Sequence, residues 1–359
     1  MRLISRKKIE AIMEKLAGLG VDAAVFVNSE PIIDSNIAYL SGFGGMLSGA
    51  LVLSRSGVFL VTTELDFDRA MNEAEVDEVI RTDERKKMRD AIRPLLSKAK
   101  KIGIVKSRLT LSMCSGLKIP KYRQLDIGKI MEEARSIKEE NEMEAIEKSA
   151  EISNKGVKFL QDFLKKGVAE NVVAAELERE LRSAGSERTP FEIIVSSGPG
   201  SAIIHPCPSS GVKKIGDGLV IVDFGAVYHG YVTDVTVPFL IGNVSKGEEK
   251  IAETVLSAYD KILPKIRDGV KVADIKGVYE KKLKIAGFQV KHAVGHGIGL
   301  DTHEGPSLGN PNEKLLANMT ISLEPGVYVK GIGGCRLEND LIVTKTGCEV
   351  LTKSKLIRI

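Results

Sequence analysis

The chain has 359 residues, 43% apolar and 28% charged, and its 52 basic residues outnumber 48 acidic ones for a net charge of +4. That length exceeds what one hydrophobic core usually fills, so two domains are expected. Basic residues lie scattered among acidic ones, as in Lys138-Glu139-Glu140, which argues against a nucleic-acid footprint, and no apolar run approaches the roughly eighteen residues of a membrane span.

The start of the chain, Met1 to Glu10, carries Arg2, Arg6, Lys7 and Lys8, and an amphipathic helical pattern follows instead of the apolar stretch of a signal peptide. Cys114, Cys207, Cys335 and Cys348 are widely spaced with no CxxC pair, a pattern of reduced thiols. A cytoplasmic protein is expected.

Ile9, Ile12, Met13 and Leu16 form a helical stripe ended by Gly18 and Gly20, and Ala23 to Val27 follows as a short strand. Ala50 to Leu53 and Val58 to Val61 flank Arg55-Ser56-Gly57 as a hairpin. A helix over Asp83 to Ala99, bent at Pro94, precedes the strand Ile102 to Val105. Residues 1–135 thus read as an α/β domain, and they contain no histidine.

From Lys138 to Lys165 the pattern is strongly helical, with Met143, Ile146, Ala150, Val157, Leu160 and Leu164 on one face. A second helix is predicted over about Glu170 to Ala184, and the domain boundary falls near Arg135, giving a second domain over 136–359. Beyond Pro190 strand-like runs alternate with glycines, interrupted by helices over roughly Lys246 to Ile266 and Val272 to Ala286. All five histidines (His205, His229, His292, His296, His303) lie there, so the chemistry is expected in the C-terminal domain.

Asp223 ends the apolar run Leu219 to Phe224, and Asp234 sits in the run Tyr231 to Val237 beyond a turn at Gly225 to Gly230. A hairpin symmetric about its tip sets these two directly opposite each other, with Cβ atoms about 4.5–5.5 Å apart. Carboxylates that close repel unless a cation lies between them. Glu324 and Glu338 are likewise placed about a Gly-rich tip, and "DFGAVY" at 223 resembles "EPGVY" at 324, which suggests a pseudo-twofold repeat. A lone Asp after a strand is more often a turn or cap residue. Two acidic pairs with His296 in Gly295-His296-Gly297-Ile298-Gly299 are far harder to explain that way.

Four carboxylates and one imidazole suit a hard or borderline divalent ion and exceed what one ion needs, which points to two ions sharing ligands in a hydrolase. The glycines beside His296 are expected to let the backbone approach an ion. His205 follows the Ser196-Ser197-Gly198-Pro199-Gly200 loop and is read evenly as packed or catalytic; His229 is placed at a solvent-facing tip, and His292 is taken as structural.

Together these segments resemble the pita-bread metallopeptidases, which include prolidase, aminopeptidase P and methionine aminopeptidase. The resemblance is carried by VDFGAVYHGYVTDVT (222–236), GHGIGLDTHEGP (295–306), ISLEPGVY (321–328) and GCRLENDLIV (334–343). It extends to SSGPGSAIIHP (196–206), RSIKEENEMEAIEKSAEI (135–152), YLSGFGG (39–45) and TTELDFDRA (62–70). It implies an α/β N-terminal domain, concerned with substrate access and dimerisation, and an α+β pita-bread catalytic domain.

Residue by residue, Asp223 resembles the ligand of one ion, Asp234 and Glu338 the bridging carboxylates, and His296 with Glu324 the ligands of the other ion. His205 and His303 resemble the non-ligand histidines that contact the substrate carbonyl, Glu324 the proton shuttle, and Arg336 the arginine that supports the site. Ile203-Ile204 and Cys335 depart from the usual pattern without touching the ligand set. The implied cofactors are two divalent ions (Mn, Co, Fe or Zn), the implied assembly a homodimer, and the implied substrates small proline-containing peptides. The extra N-terminal domain argues against methionine aminopeptidase and favours a prolidase or an aminopeptidase P; an Xaa-Pro dipeptidase is expected, with an Xaa-Pro aminopeptidase acting on longer peptides as the alternative. A non-catalytic peptide-binding module and a metal-free creatinase would lack the full ligand set.

Overall fold

The computed structural model describes residues 4–83, 87–206 and 213–359, so Cys207 and the first turn of the helix predicted from Asp83 lie outside it. Two compact units divide the chain, Met1–Arg135 and Ser136–Ile359.

In the first unit a six-stranded sheet has the spatial order Glu78–Thr82, Gly57–Thr63, Ser48–Ser54, Ala23–Ser29, Ile102–Ile104, Gln124–Asp126. The central hairpin pairs Ser54 with Gly57 and runs back to Gly49 opposite Thr62. The outer pairs are parallel, which makes the sheet mixed. Arg6–Gly18 is capped by the Ser5 side chain on the Lys8 N–H and buries Ile9, Ile12 and Leu16, the i, i+3, i+7 face of an amphipathic helix. The helix predicted to Ala99 is shorter, Met88–Leu95, with Pro94 in its last turn. A proline there removes a donor, and the chain leaves the helix at Leu96.

The second unit repeats one theme twice. Glu140–Phe163 and Glu170–Ser183 pack on a four-stranded sheet ordered Ile357–Arg358, Val235–Ile241, Gly218–Phe224, Ile194–Ser197. Their shared core includes Leu160, Leu177, Val222 and Val237, all buried. Lys246–Ile262 and Val272–Ala286 share a second core with a five-stranded sheet ordered Glu304–Ser307, Gly295–Gly297, Thr320–Leu323, Asn339–Val343, Cys348–Val350. Val255, Ile275, Ile321 and Leu341 lie at its centre. Strands buried on both faces explain the nearly continuous apolar runs in the sequence. Among the described residues no helix is long and apolar enough to cross a membrane.

Each half contributes one long two-stranded ribbon, interrupted near its middle. The first comprises Gly218–Phe224 with Val235–Ile241 and, beyond a break, Val227–Tyr228 with Tyr231–Val232. The second comprises Thr320–Leu323 with Asn339–Val343 and then Gly326–Val329 with Gly333–Arg336. The strand predicted unbroken from Tyr231 to Val237 is therefore two strands. All four candidate carboxylates sit at or beside these breaks.

Candidate metal centre

The first ribbon pairs Asp223 with Thr236 and Tyr228 with Tyr231, and the Thr233 N–H donates to the Ala226 carbonyl between them. That one register sets Asp234 opposite Gly225. Asp223 and Asp234 are thus diagonal neighbours, two residues out of step, and not the directly opposed pair the sequence suggested. Strand periodicity still keeps both on one face, and the Asp223 charge helps raise the Asp234 pKa. In the second ribbon Leu323 pairs with Asn339 and Gly326 with Arg336, which sets Glu324 directly opposite Glu338.

His296 lies on the neighbouring strand Gly295–Gly297, opposite Ser322. The glycines at 295, 297 and 299 allow close approach of neighbouring segments. A Cβ on Gly295 would overlap the Ser322 carbonyl, one on Gly297 the Gly305 backbone, and one on Gly299 the Glu304 carboxylate. The His296 Nδ1 lies 3.1 Å from the Gly297 carbonyl oxygen, to which it donates, leaving Nε2 with a free lone pair. That Nε2 is 3.6 Å from Asp234 Oδ2 and 3.9 Å from Glu324 Oε1. One ligand atom each from Asp234, His296 and Glu338 lie within 4.8 Å of one another.

Both oxygens of Glu338 are held: Thr236 Oγ1 donates to Oε2 at 2.5 Å and Ser322 Oγ to Oε1 at 2.6 Å. The Glu338 N–H donates to the Thr236 carbonyl, so Thr236 joins the two ribbons through backbone and side chain. Arg336 donates through Nη2 to Asp223 Oδ2 at 2.5 Å, through Nε to Thr236 Oγ1 at 2.8 Å and through Nη1 to the Tyr328 hydroxyl at 2.9 Å. Asp234 receives support from behind, where its N–H donates to Asp340 Oδ2 at 2.9 Å. Burial falls from the 2% exposed side chain of Glu338 to the 17% of Glu324, so Glu324 lies toward the mouth and Glu338 at the floor.

The donor set fits divalent ions. Asp223 Oδ1 is buried without any hydrogen-bond partner, an orphan acceptor that a cation would satisfy. Burial, the neighbouring Glu338 and the other carboxylates push Asp234 well above the usual carboxylate range. Burial and Glu338 do the same to Glu324, against the pull of Arg336. Asp223 is pushed up to about 6, by burial first, with Arg336 opposing and Glu338 adding. With no other cation present, Asp223, Asp234 and Glu324 are shifted toward their protonated forms, and metal binding would displace those protons.

His205 and His303 lie on exposed loops at the mouth, and the His303 ring packs 4.2 Å from that of His296, tilted by 38°. Burial and His296 lower the His303 pKa. His229, at the tip of the first ribbon, is exposed. His292, taken as structural from sequence, belongs to the site instead. Its Nδ1 is 3.8 Å from Glu324 Oε2 and its Nε2 3.1 Å from the Tyr328 hydroxyl, and burial followed by Arg336 lowers its pKa to about 4. Thr236, Ser322 and Asp340 also escaped sequence reasoning. The period-2 rule marks them, because Thr236 follows Asp234 by two, Ser322 precedes Glu324 by two, and Asp340 follows Glu338 by two.

The description of metallopeptidase family M24 matches residues 144–345, and that of the creatinase/prolidase N-terminal domain matches residues 8–137. The chain belongs to metallopeptidase family M24. It is 30% identical to the Xaa-Pro dipeptidase of Pyrococcus horikoshii, over 98% of each chain. The solved Xaa-Pro dipeptidase from Bacillus anthracis superposes with a TM-score of 0.90 at 29% identity, covering 98% of this chain and 99% of that one. The X-Pro aminopeptidase from Thermotoga maritima superposes with a TM-score of 0.88 at 28% identity, again over 98% and 99%. The two-domain architecture, with an α/β N-terminal domain and a pita-bread catalytic domain built on a pseudo-twofold repeat, is that of this family.

Proposed function

We propose that this M24 peptidase is a dinuclear-metal Xaa-Pro dipeptidase, a prolidase. The observation that carries the reading is the convergence of Asp223, Asp234, His296, Glu324 and Glu338 in a chain similar over its whole length to Xaa-Pro dipeptidases. In this reading Asp234 and Glu338 would be the ligands common to both ions, Asp223 a ligand of one, and His296 with Glu324 ligands of the other. Four carboxylates exceed what one ion needs, which supports two. Ionised, they sum with Arg336 to −3, a charge that calls for divalent cations. Oxygen-rich ligands with one imidazole accept Mn, Co, Fe or Zn.

When bound, such ions acidify water toward a pKa of about 7 and polarise a carbonyl oxygen. The remaining work falls to the chain. Glu324, at the mouth and beside His292, carries a proton from water to the leaving imide nitrogen. His205 and His303 donate hydrogen bonds to the oxygen that becomes negative, and the lowered pKa of His303 keeps its ring a neutral donor at neutral pH. Arg336 fixes Asp223, and Thr236 with Ser322 fixes Glu338, so neither carboxylate needs to reorient during turnover. The Xaa–Pro amide has no N–H to grip, so recognition of the ring rests on shape and the trans bond.

The Thermotoga X-Pro aminopeptidase, as similar in fold as the dipeptidases, favours action on longer peptides as the second reading. An assay of Met-Pro against Met-Pro-Ala, with and without Mn, Co, Fe and Zn, tests both. Cleavage of the dipeptide alone fixes the dipeptidase; preference for the tripeptide fixes the aminopeptidase; no metal-dependent cleavage of either sinks the proposal. We assign the protein to the cytoplasm, where the thiols of Cys114, Cys335 and Cys348 stay reduced. We also assign it a homodimeric state formed through residues 1–135, which light scattering on the full chain checks.

A further inference from the structure

Outside the carboxylate cluster, a deeply buried ion pair of the second unit joins Lys138 to Glu304. Nζ lies 2.9 Å from Oε1, and the side chains are 0% and 6% exposed. Lys138 is fixed at its backbone, where its N–H donates to the Asn318 carbonyl, and its Nζ also reaches the Ser136 carbonyl at 3.5 Å. Glu304 directly follows His303. Its second oxygen accepts from the Asp301 N–H at 3.4 Å, and its backbone pairs with Gly297 next to His296. Gly299 completes the arrangement, because a Cβ there would overlap the Glu304 carboxylate.

The Glu304 carboxylate therefore lies against Gly299 and bonds the Asp301 N–H within the loop 299–304, and that loop carries His303. Among the described residues the His303 ring makes no hydrogen bond of its own. It is placed by the loop backbone and by its contact with His296. A buried carboxylate paired with a buried ammonium holds one geometry tightly, since pulling the two apart leaves buried charge uncompensated. Nothing in the metal cluster requires this pair, and no proton transfer passes through it.

We propose that Lys138 and Glu304 are positioning residues, a buried clamp that holds the His303 imidazole over His296. The inference rests on the role given to His303 above, and its test separates the two. The direct readout is the ring-to-ring NOE between His296 and His303 in metal-free, histidine-labelled protein. Glu304→Gln and Lys138→Met are each expected to lose that NOE while the His292–Tyr328 contact persists as the internal control. With Mn added, both are expected to lower kcat about 10–100-fold with KM nearly unchanged. In the His303→Ala background Glu304→Gln is expected to cost nothing further, a non-additivity that general loosening of the fold does not produce.

A retained NOE in folded Glu304→Gln protein overturns the proposal, as does a kcat loss that multiplies with that of His303→Ala. If a single variant fails to fold, the double variant Lys138→Met/Glu304→Gln removes the lone buried charge and carries the same two readouts. Loss of the NOE together with full kcat in His303→Ala sustains the clamp and removes His303 from catalysis.

Discussion

The first ribbon turns through two residues, His229 and Gly230, both with positive φ (48° and 79°); the second turns through three, Lys330 to Ile332, with Gly331 at φ 82°. The first is the primed two-residue turn that matches strand twist. That difference of one residue sets the geometry of each acid pair. In the second ribbon Glu324 and Glu338 face each other. In the first, Asp234 faces Gly225, and Asp223 is set back by one strand period opposite Thr236. Asp234 and Glu338 nevertheless occupy equivalent places, each the last residue before its returning strand, Val235–Ile241 or Asn339–Val343. A repeated scaffold thus supplies two equivalent central carboxylates and two inequivalent outer ones, a short Asp locked by Arg336 and a longer Glu at the mouth.

If that equivalence is functional, removing either central charge should be the most damaging change in the molecule. Asp234→Asn and Glu338→Gln are each expected to lower kcat/KM by about 10³-fold or more, the loss of several kcal/mol of transition-state stabilisation. Metal analysis should find both variants short of bound ion. Retention of most activity by one while the other is dead would break the comparison at its centre.

The outer pair should respond unequally. Arg336→Lys removes the fork that holds Asp223 and Thr236 together, and Lys cannot replace its geometry. Metal affinity is expected to fall about 10–100-fold, with one ion of the pair lost first. Thr236→Val, which deletes the donor to Glu338 and the acceptor for Arg336, is expected at the lower end of that range. Two ions lost together in titration calorimetry of Arg336→Lys would show that the outer ligands are not independent.

Much of this was legible in the sequence because strands buried on both faces leave long apolar runs, and an acid interrupting such a run is conspicuous. The long helices of the second unit are legible nearly to their ends for the same reason; Glu170–Ser183 and Val272–Ala286 show clear apolar faces. Register was less legible. His229-Gly230 is not the Asn-Gly or Asp-Gly that announces a primed turn, so the tip was misplaced by one residue and Asp223 slid two residues from Asp234. His292 stayed hidden because its partners, Glu324 and Tyr328, arrive from a strand more than thirty residues on. Spatial convergence of that kind leaves no local periodicity.

Proton competition offers a gentler probe. Asp223, pushed up to about 6 by burial with Arg336 opposing, is protonated in metal-free protein below that pH and ionised above it. Apparent Mn affinity is therefore expected to fall as pH drops, by at least about tenfold per unit below 6, with the raised Asp234 and Glu324 extending the fall to higher pH. Calorimetry in two buffers of different ionisation enthalpy would count the protons released. For the metal-free fold the sign reverses. A carboxyl with a raised folded-state pKa binds more protons than its unfolded counterpart, so its stability contribution is present below about pH 4 and lost as pH rises through about 6. An affinity unchanged between pH 5 and 7 would show that the ribbons do not hold protons in place of ions.

The smallest expected effect concerns Gly225, the residue standing where the second ribbon has Glu324. A Cβ there would overlap the Thr233 carbonyl on the facing side of the break and meet the Pro190 ring from outside the ribbon. Gly225→Ala is expected to cost about 1–3 kcal/mol and to lower Tm by about 2–10 °C, with the denaturant m-value unchanged. At Gly326, just past the break in the second ribbon, an added Cβ meets the Tyr328 hydroxyl and His292 Nε2, side-chain ends that can move. Gly326→Ala should therefore leave Tm closer to wild type and lower kcat by displacing His292 from Glu324. If the two substitutions destabilise equally and Gly326→Ala keeps full kcat, the breaks are interchangeable hinges and His292 is not poised beside the reacting groups.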